Sequence, residues 1–328
     1  MKVAIRADGG PELGYGHLVR TGALATELLR RDINTTYITT TPKSVKEICP
    51  DGIQTHQIPE ENEQEAVIEI LRRKDSDVIV TDSYGVDQEY QKSLSDVTDT
   101  VAVIQGDARY DLYCDILING HVFAADIEYN WAGEEPKWCL GPEYLLLREE
   151  FSNPPGPNIV FRENPERAII LMGGSDVNNR TPEVMAAFDN QDISVDVIIG
   201  PGYNNKNEIR RAANNHNCRW NVHQTPNNLS ELMFKADFAV TALGTTTYEL
   251  IATNTPVIGL VEADNQLPIA RALSKQRLGT VIWENQTLHK EVDKMITSSK
   301  MRKELWEKYS RLIDGNGAIR IVNGLINC

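Results

Sequence analysis

His17 closes the run Gly14-Tyr15-Gly16-His17, with Arg6 and Asp8 upstream of it and Arg20 shortly after it. An imidazole has an unperturbed pKa of about 6.5, so it can take a proton from an incoming nucleophile near neutral pH. The two glycines permit a tight turn and let a ligand approach the backbone closely. Arg20 falls one helical turn beyond His17, which brings a cation to the same rim. A base beside cations and unpaired backbone N–H groups suits reaction at a phosphorylated substrate. The plain alternative is a strand–loop–helix junction that binds nothing, because Gly-x-Gly occurs in many α/β proteins.

The elements around this loop decide whether it is a site. Residues 2–7 predict a strand and residues 18–31 a helix, so the loop lies at the carboxyl end of a strand, where open α/β sheets bind ligands. The helix adds unpaired N–H groups and the positive end of its dipole. Further strands are predicted at 35–39, 77–81, 100–104 and 115–118, with helices at 63–73 and 88–94. The stretch 151–158 holds Pro154, Pro155, Gly156 and Pro157 and reads as an interdomain linker. The rhythm then restarts, with strands at 168–172, 195–199, 219–222, 237–241, 256–261 and 280–283. Helices are expected between and after them at 182–188, 208–215, 229–234, 248–253, 269–276 and 288–297, and the tail 301–325 reads as helical, able in a two-lobed architecture to fold back against the first lobe. The expected class is α/β, with a Rossmann-like domain over 1–152, a linker over 153–166, and a second Rossmann-like domain over 167–328 that includes a C-terminal helix.

The bulk properties are consistent with this. A chain of 328 residues exceeds what one ordinary core supports, and 41% hydrophobic with 24% charged residues is a globular composition. A formal charge of −14 argues against a nucleic-acid partner and leaves room for a local pocket that takes a small phosphorylated ligand. The five cysteines are odd in number and form no Cys-x-x-Cys pair, which fits a reducing cytoplasm and no structural zinc. Neither a signal-peptide core nor a run of about eighteen apolar residues is present, so a cytoplasmic protein without a membrane partner is expected.

The second half repeats the placement of glycines and hydroxyls at strand ends. Gly173-Gly174-Ser175-Asp176 follows the strand at 168–172 and reads either as a backbone cradle for a phosphate or sugar or as a simple turn. Gly244-Thr245-Thr246 precedes a helix that carries Glu249. Those groups can hold a diphosphate while the carboxylate accepts ribose hydroxyls, or a threonine can simply cap the helix. Asp264-Asn265-Gln266 follows the strand at 256–261, where the amides can read sugar hydroxyls or acetamido groups or act as a cap. In a two-lobed arrangement these edges are expected to face a central cleft beneath the histidine loop.

Taken together, Arg6-x-Asp8, Gly14-x-Gly16-His17-x-x-Arg20, Asp82-Ser83-Tyr84-Gly85, Gly173-Gly174-Ser175-Asp176, Gly244-Thr245-Thr246-x-x-Glu249 and Asn265-Gln266 resemble the UDP-2,4-diacetamido-2,4,6-trideoxy-β-L-altropyranose hydrolase family. That family serves pseudaminic acid biosynthesis and is related to spore-coat polysaccharide proteins and to GT-B glycosyltransferases. The resemblance spans nearly the whole chain, and the Gly-x-Gly-His-x-x-Arg element is its most specific part. It implies a GT-B-like pair of domains, a UDP-sugar as substrate, water as acceptor, and neither metal nor cofactor. His17 would activate water for attack on the anomeric carbon, with inversion and loss of UDP. Tyr84 and Asn265 match positions that line the sugar site, and residues 244–249 match the nucleotide-binding element. Arg6, Gly14, Gly16, Arg20, Gly173, Gly174, Ser175, Gly244, Thr245, Thr246, Glu249 and Gln266 are the candidate substrate contacts. Asp8 either orients the imidazole, holds a sugar hydroxyl, or caps the loop. The chain departs from the family pattern at Gln105-Gly106-Asp107, which carries one acid instead of a pair, and at Leu243 and Thr245, where glycine and serine are frequent; these changes bear on sugar preference. Two other readings share the same residues: a GT-B glycosyltransferase with a UDP-sugar donor, and a nucleotide-sugar binding protein without catalysis.

Overall fold

The computed structural model describes residues 1–10, 12–152, 160–215, 218–283 and 288–327. The core of the expected linker, residues 153–159, lies outside these. The chain divides into two compact units, Met1–Glu149 with Gly315–Cys328, and Glu150–Asp314.

In the first unit the strands are β1 (Lys2–Ala7), β2 (Asn34–Thr39), β3 (Gln54–Gln57), β4 (Val78–Asp82), β5 (Thr100–Ile104), β6 (Ile116–Asn119) and β7 (Lys137–Leu140). Helices α1 (Gly16–Arg30), α2 (Pro42–Ile48), α3 (Glu63–Lys74) and α4 (Gln88–Ser95) connect β1 to β5 in turn, and α5 (Glu149–Ser152) crosses the boundary into the second unit. All pairings are parallel, in the order β3-β2-β1-β4-β5-β6-β7. Side chains alternate faces along a strand, so β1 feeds two cores. Val3, Ile5 and Ala7 meet Leu18, Leu24 and Leu28 of α1, whereas Ala4 joins Val67, Ile70 and Leu71 of α3 and Leu94 of α4. Both faces are thus covered, as a parallel sheet requires.

The second unit holds β8 (Arg167–Leu171), β9 (Ser194–Ile199), β10 (Arg219–Gln224), β11 (Phe238–Ala242), β12 (Val257–Leu260) and β13 (Thr280–Ile282). Its helices are α6 (Thr181–Ala186), α7 (Lys206–Asn215), α8 (Leu229–Lys235), α9 (Thr245–Ala252), α10 (Leu267–Gln276), α11 (Leu288–Thr297) and α12 (Ser299–Leu312). The sheet is again parallel throughout, ordered β10-β9-β8-β11-β12-β13.

The tail differs from the single helix read from the sequence. Gly315 at φ +72° separates α12 from α13 (Gly317–Ile326). α13 returns to the first unit and does not stay with residues 167–314, because Ile321, Val322 and Leu325 bury in the same cluster as Leu24 and Leu28 of α1. Arg31 fastens it by donating to Asn323 Oδ1 at 2.6 Å. Gly317 is the point of closest approach, since a Cβ there would meet the Leu145 carbonyl. Among the described residues no helix is long and apolar enough to cross a membrane.

Candidate active site

In the first sheet β1 has β2 on one side and β4 on the other, so the direction of chain progression reverses between β1 and β4. The loops after those two strands diverge, which opens a crevice at their carboxyl ends. Ala7 of β1 lies opposite Asp82, the last residue of β4. His17 enters from the first turn of α1, after a loop closed by the bond from Gly10 N–H to the Gly14 carbonyl at 3.0 Å. Gly14 sits at φ +78°, a conformation that residues with a Cβ rarely adopt. Gly16 is the first residue of α1, and the first turn of that helix carries no acidic residue and no side-chain cap.

The imidazole is held from one side. His17 Nδ1 is 2.6 Å from Asp82 Oδ1, and Arg20 grips the same carboxylate with Nε at 2.5 Å from Oδ2 and Nη2 at 2.6 Å from Oδ1. Nη2 also lies 3.0 Å from Nδ1, but both nitrogens are donors that converge on one carboxylate oxygen. Nδ1 therefore donates to Asp82, and in the neutral imidazole the lone pair is on Nε2. Asp82 is 1% exposed. Burial pushes its carboxyl up, yet the Arg20 charge and the His17 N–H outweigh burial and hold it below the ordinary carboxylate range. A buried, ionised aspartate then fixes the tautomer of a neutral imidazole and can stabilise an imidazolium.

Tyr84 follows on the loop after β4, half exposed, with its ring perpendicular to the imidazole at a centroid distance of 4.8 Å. His121, on the loop after β6, escaped the sequence reading. Its ring stacks on Phe123 at 4.9 Å, and the absence of a side chain at Gly106 leaves it room. Burial, reinforced by the Arg20 charge, pushes its imidazole down to about 4, so it is neutral near pH 7.

Two expectations are corrected here. Asp8 does not orient His17: it accepts from Thr39 Oγ1 at 2.8 Å and Thr40 N–H at 2.7 Å and pairs with Arg6 Nη2 at 2.5 Å. Arg6 is 1% exposed and also binds Glu63 through Nε at 2.9 Å. It ties the end of β1 to the start of α3 and is too deeply enclosed to reach a substrate. The physical reason is the strand period, which turns Arg6 to the α3 face of the sheet, away from the face of Ile5 and Ala7 where α1 packs.

In the second unit the corresponding reversal lies between β8 and β11, with β12 next. Gly173, Gly174 and Ser175 are exposed after β8, and the Gly174 carbonyl accepts from Gly202 N–H at 2.9 Å. Asp176 turns inward and accepts from the Arg180 and Thr181 N–H groups, at 2.8 and 3.1 Å. Gly244 and Thr245 are exposed at the start of α9, Thr246 is half-buried, and Gly244 N–H donates to Thr247 Oγ1 at 3.2 Å. The capping role therefore belongs to Thr247, which leaves the hydroxyls of Thr245 and Thr246 for other uses. Glu249 is buried on the second turn of that helix. Asn265 is exposed, while Gln266 holds its own loop by accepting from Glu262 N–H at 2.7 Å. Strand order thus brings Gly173–Ser175, Gly244–Thr246 and Asn265 to neighbouring loops at one edge of this sheet. Among the described residues no group of three or more His, Cys, Asp or Glu side chains stands where it could hold a metal ion.

No protein-family model matches the chain. An uncharacterized protein of Methanocaldococcus jannaschii is 26% identical over 277 residues, covering 81% of this chain and 57% of that protein, so the match spans little more than half the relative's length. The spore coat polysaccharide biosynthesis protein SpsG of Bacillus subtilis is 27% identical over 98% of this chain and 96% of its own. The UDP-2,4-diacetamido-2,4,6-trideoxy-β-L-altropyranose hydrolase of Campylobacter jejuni is 24% identical over 66% of this chain and 76% of its own. Among solved structures, MurG of Acinetobacter baumannii superposes with a TM-score of 0.73 at 11% identity, covering all of both chains. The calicheamicin glycosyltransferase CalG4 gives 0.66 at 14% identity, covering 100% of this chain and 98% of its own. The chain is thus a distant homologue of SpsG and of the Campylobacter hydrolase, and its two parallel sheets with flanking helices have the GT-B architecture.

Proposed function

We propose that the chain is a metal-independent nucleotide-sugar hydrolase that cleaves a UDP-linked 2,4-diacetamido-2,4,6-trideoxy sugar at the anomeric carbon, releasing UDP and free sugar for nonulosonic (pseudaminic) acid biosynthesis. The observation that carries this reading is the His17–Asp82–Arg20 arrangement at the switch point of the first sheet, in which Nδ1 donates to Asp82 and the neutral ring keeps its lone pair on Nε2. In the proposed reaction Nε2 takes a proton from water, and the water oxygen bonds to the anomeric carbon. The bond from that carbon to the β-phosphate oxygen breaks, and the electron pair leaves with UDP. Asp82 stabilises the imidazolium. In the second unit the exposed loops Gly173–Ser175 and Gly244–Thr246 carry backbone N–H groups and hydroxyls of the kind that bind a diphosphate. The names of the Campylobacter and Bacillus relatives support a sugar-nucleotide substrate.

A second reading, a GT-B glycosyltransferase, is favoured by the structural likeness to MurG and CalG4. The same base would then deprotonate an acceptor hydroxyl. Incubation with the UDP-trideoxy sugar, followed by NMR of the products, separates the two. Hydrolysis predicts UDP and the free sugar with no acceptor present, and retention under chelator. UDP release only when an acceptor is added establishes the transferase, and UDP binding without turnover of any sugar removes both.

A further inference from the structure

Tyr84 is 55% exposed, so burial alone does not fix its ring. Its neighbours on the loop after β5 do. The Arg109 guanidinium lies over the Tyr84 ring, 4.2 Å from the centroid. Arg109 is itself anchored: its Nε donates to Asp107 Oδ1 at 2.7 Å, its Nη2 donates to Asp107 Oδ2, and its backbone N–H reaches Oδ1 at 3.3 Å. Burial pushes the Asp107 carboxyl up, but its bond and charge contact with Arg109 hold it below the ordinary range, so the pair stays ionised. Tyr110 closes the assembly from the other end by donating its hydroxyl to the Tyr84 carbonyl at 3.3 Å.

The imidazole of His17 has one tether at Nδ1 to Asp82, and its second contact is the perpendicular ring of Tyr84. One hydrogen bond does not by itself fix the tilt of the ring; the surroundings that bury His17, the perpendicular Tyr84 ring among them, do. We propose that Arg109, fixed by Asp107, is a positioning residue that acts through Tyr84: it clamps the tyrosine ring against the imidazole and thereby aims Nε2. The inference rests on His17 as the base. It assigns a reason to the spacing Asp107-x-Arg109-Tyr110, which lets the carboxylate fix the guanidinium while the following tyrosine bonds the backbone of the residue being clamped. A planar guanidinium stacks on a ring where an ammonium does not, so lysine is not an equivalent replacement.

The test uses the full chain and four variants, Arg109→Ala, Arg109→Lys, Tyr84→Ala and the double variant. The expected result for Arg109→Ala is a fall in kcat of about three- to tenfold with KM within about twofold, the scale of one stacked cation. Arg109→Lys restores little of it. In the Tyr84→Ala background, removing Arg109 costs nothing further. NMR of the His17 ring protons needs no turnover: their resonances shift in Arg109→Ala and stay with the wild type in an exposed control, Lys92→Ala. Unchanged His17 resonances in Arg109→Ala overturn the inference, as does a full cost of removing Arg109 when Tyr84 is already absent. If no nucleotide sugar is turned over but the resonances still move, the clamp stands and the proposed hydrolase reading falls.

Discussion

Asp82→Asn changes charge with almost no change of shape, which makes it the sharpest probe of the site. The carboxylate takes three N–H groups, from His17 Nδ1 at 2.6 Å and from Arg20 Nε and Nη2 at 2.5 and 2.6 Å. An asparagine offers one acceptor oxygen and one NH2 group. With its oxygen on Arg20, the NH2 faces Nδ1, which must then accept, and the imidazole proton moves to Nε2. The base is lost at neutral pH although every heavy atom stays in place. A positioned general base is worth about 10²–10⁴ in rate, so kcat should fall by that factor, or about 2.7–5.4 kcal/mol at about 1.36 kcal/mol per decade. Stability falls too, because Arg20 loses its counter-charge. A fully buried unpaired charge costs about 3–5 kcal/mol; Arg20 retains 24% side-chain exposure, so water reaches it and a loss near the lower bound is expected. The assay is UDP release from a saturating UDP-diacetamido-trideoxy sugar, with nitrogen NMR of His17 reporting the tautomer. Turnover within about threefold of wild type, well short of a base's usual worth, would refute Asp82 as the group that sets the tautomer.

Other outcomes follow from the same geometry. Because Asp82 is held below the ordinary carboxylate value of about 3.9, its contribution to stability is complete above that value and is lost as pH falls through its lowered native pKa. Urea midpoints measured from about pH 6 to about pH 2.5 should therefore fall more steeply for wild type than for Asp82→Asn, and parallel curves would contradict an ionised Asp82. Gly317→Ala places a methyl group against the Leu145 carbonyl and should cost about 1–3 kcal/mol in denaturant unfolding; an unchanged midpoint would mean that α13 does not dock as described. Gly200→Ala pushes against the Gly174 carbonyl and so displaces the Gly173–Ser175 loop. Calorimetric titration with UDP should show Kd raised about tenfold, equivalent to about 1.4 kcal/mol, and unaltered affinity would remove that loop from the nucleotide site.

Much of the architecture is readable along the chain because buried parallel strands are continuous apolar runs separated by amphipathic helices. The strands that escaped are edge strands. β3 reads Gln-Thr-His-Gln and is largely exposed, and β7 reads Lys-Trp-Cys-Leu, so neither has the β-branched run that marks a central strand. The sequence reads α12 and α13 as one helical tail although Asp314-Gly315-Asn316 carries a turn signature, and it leaves the fold-back against the first lobe open, because that depends on distant partners such as Leu24 and Leu28. The histidine loop was legible because glycine, histidine and arginine lie together in the chain. Its carboxylate was not, because Asp82 lies 65 positions from His17 and reaches it through the pairing of β1 with β4. For Asp8, nearer in sequence, orienting the imidazole is one of three open roles, and strand order gives that role to Asp82 instead. Arg6 misled for a related reason, since one step along a strand exchanges the crevice for the opposite core.

The most direct measurement compares His17→Ala with wild type on the UDP-diacetamido-trideoxy sugar while UDP affinity is followed by calorimetry. The account predicts a loss of turnover of about 10²–10⁴ with the affinity for UDP unchanged within about twofold. A His17→Ala protein that hydrolyses the sugar at the wild-type rate would contradict it.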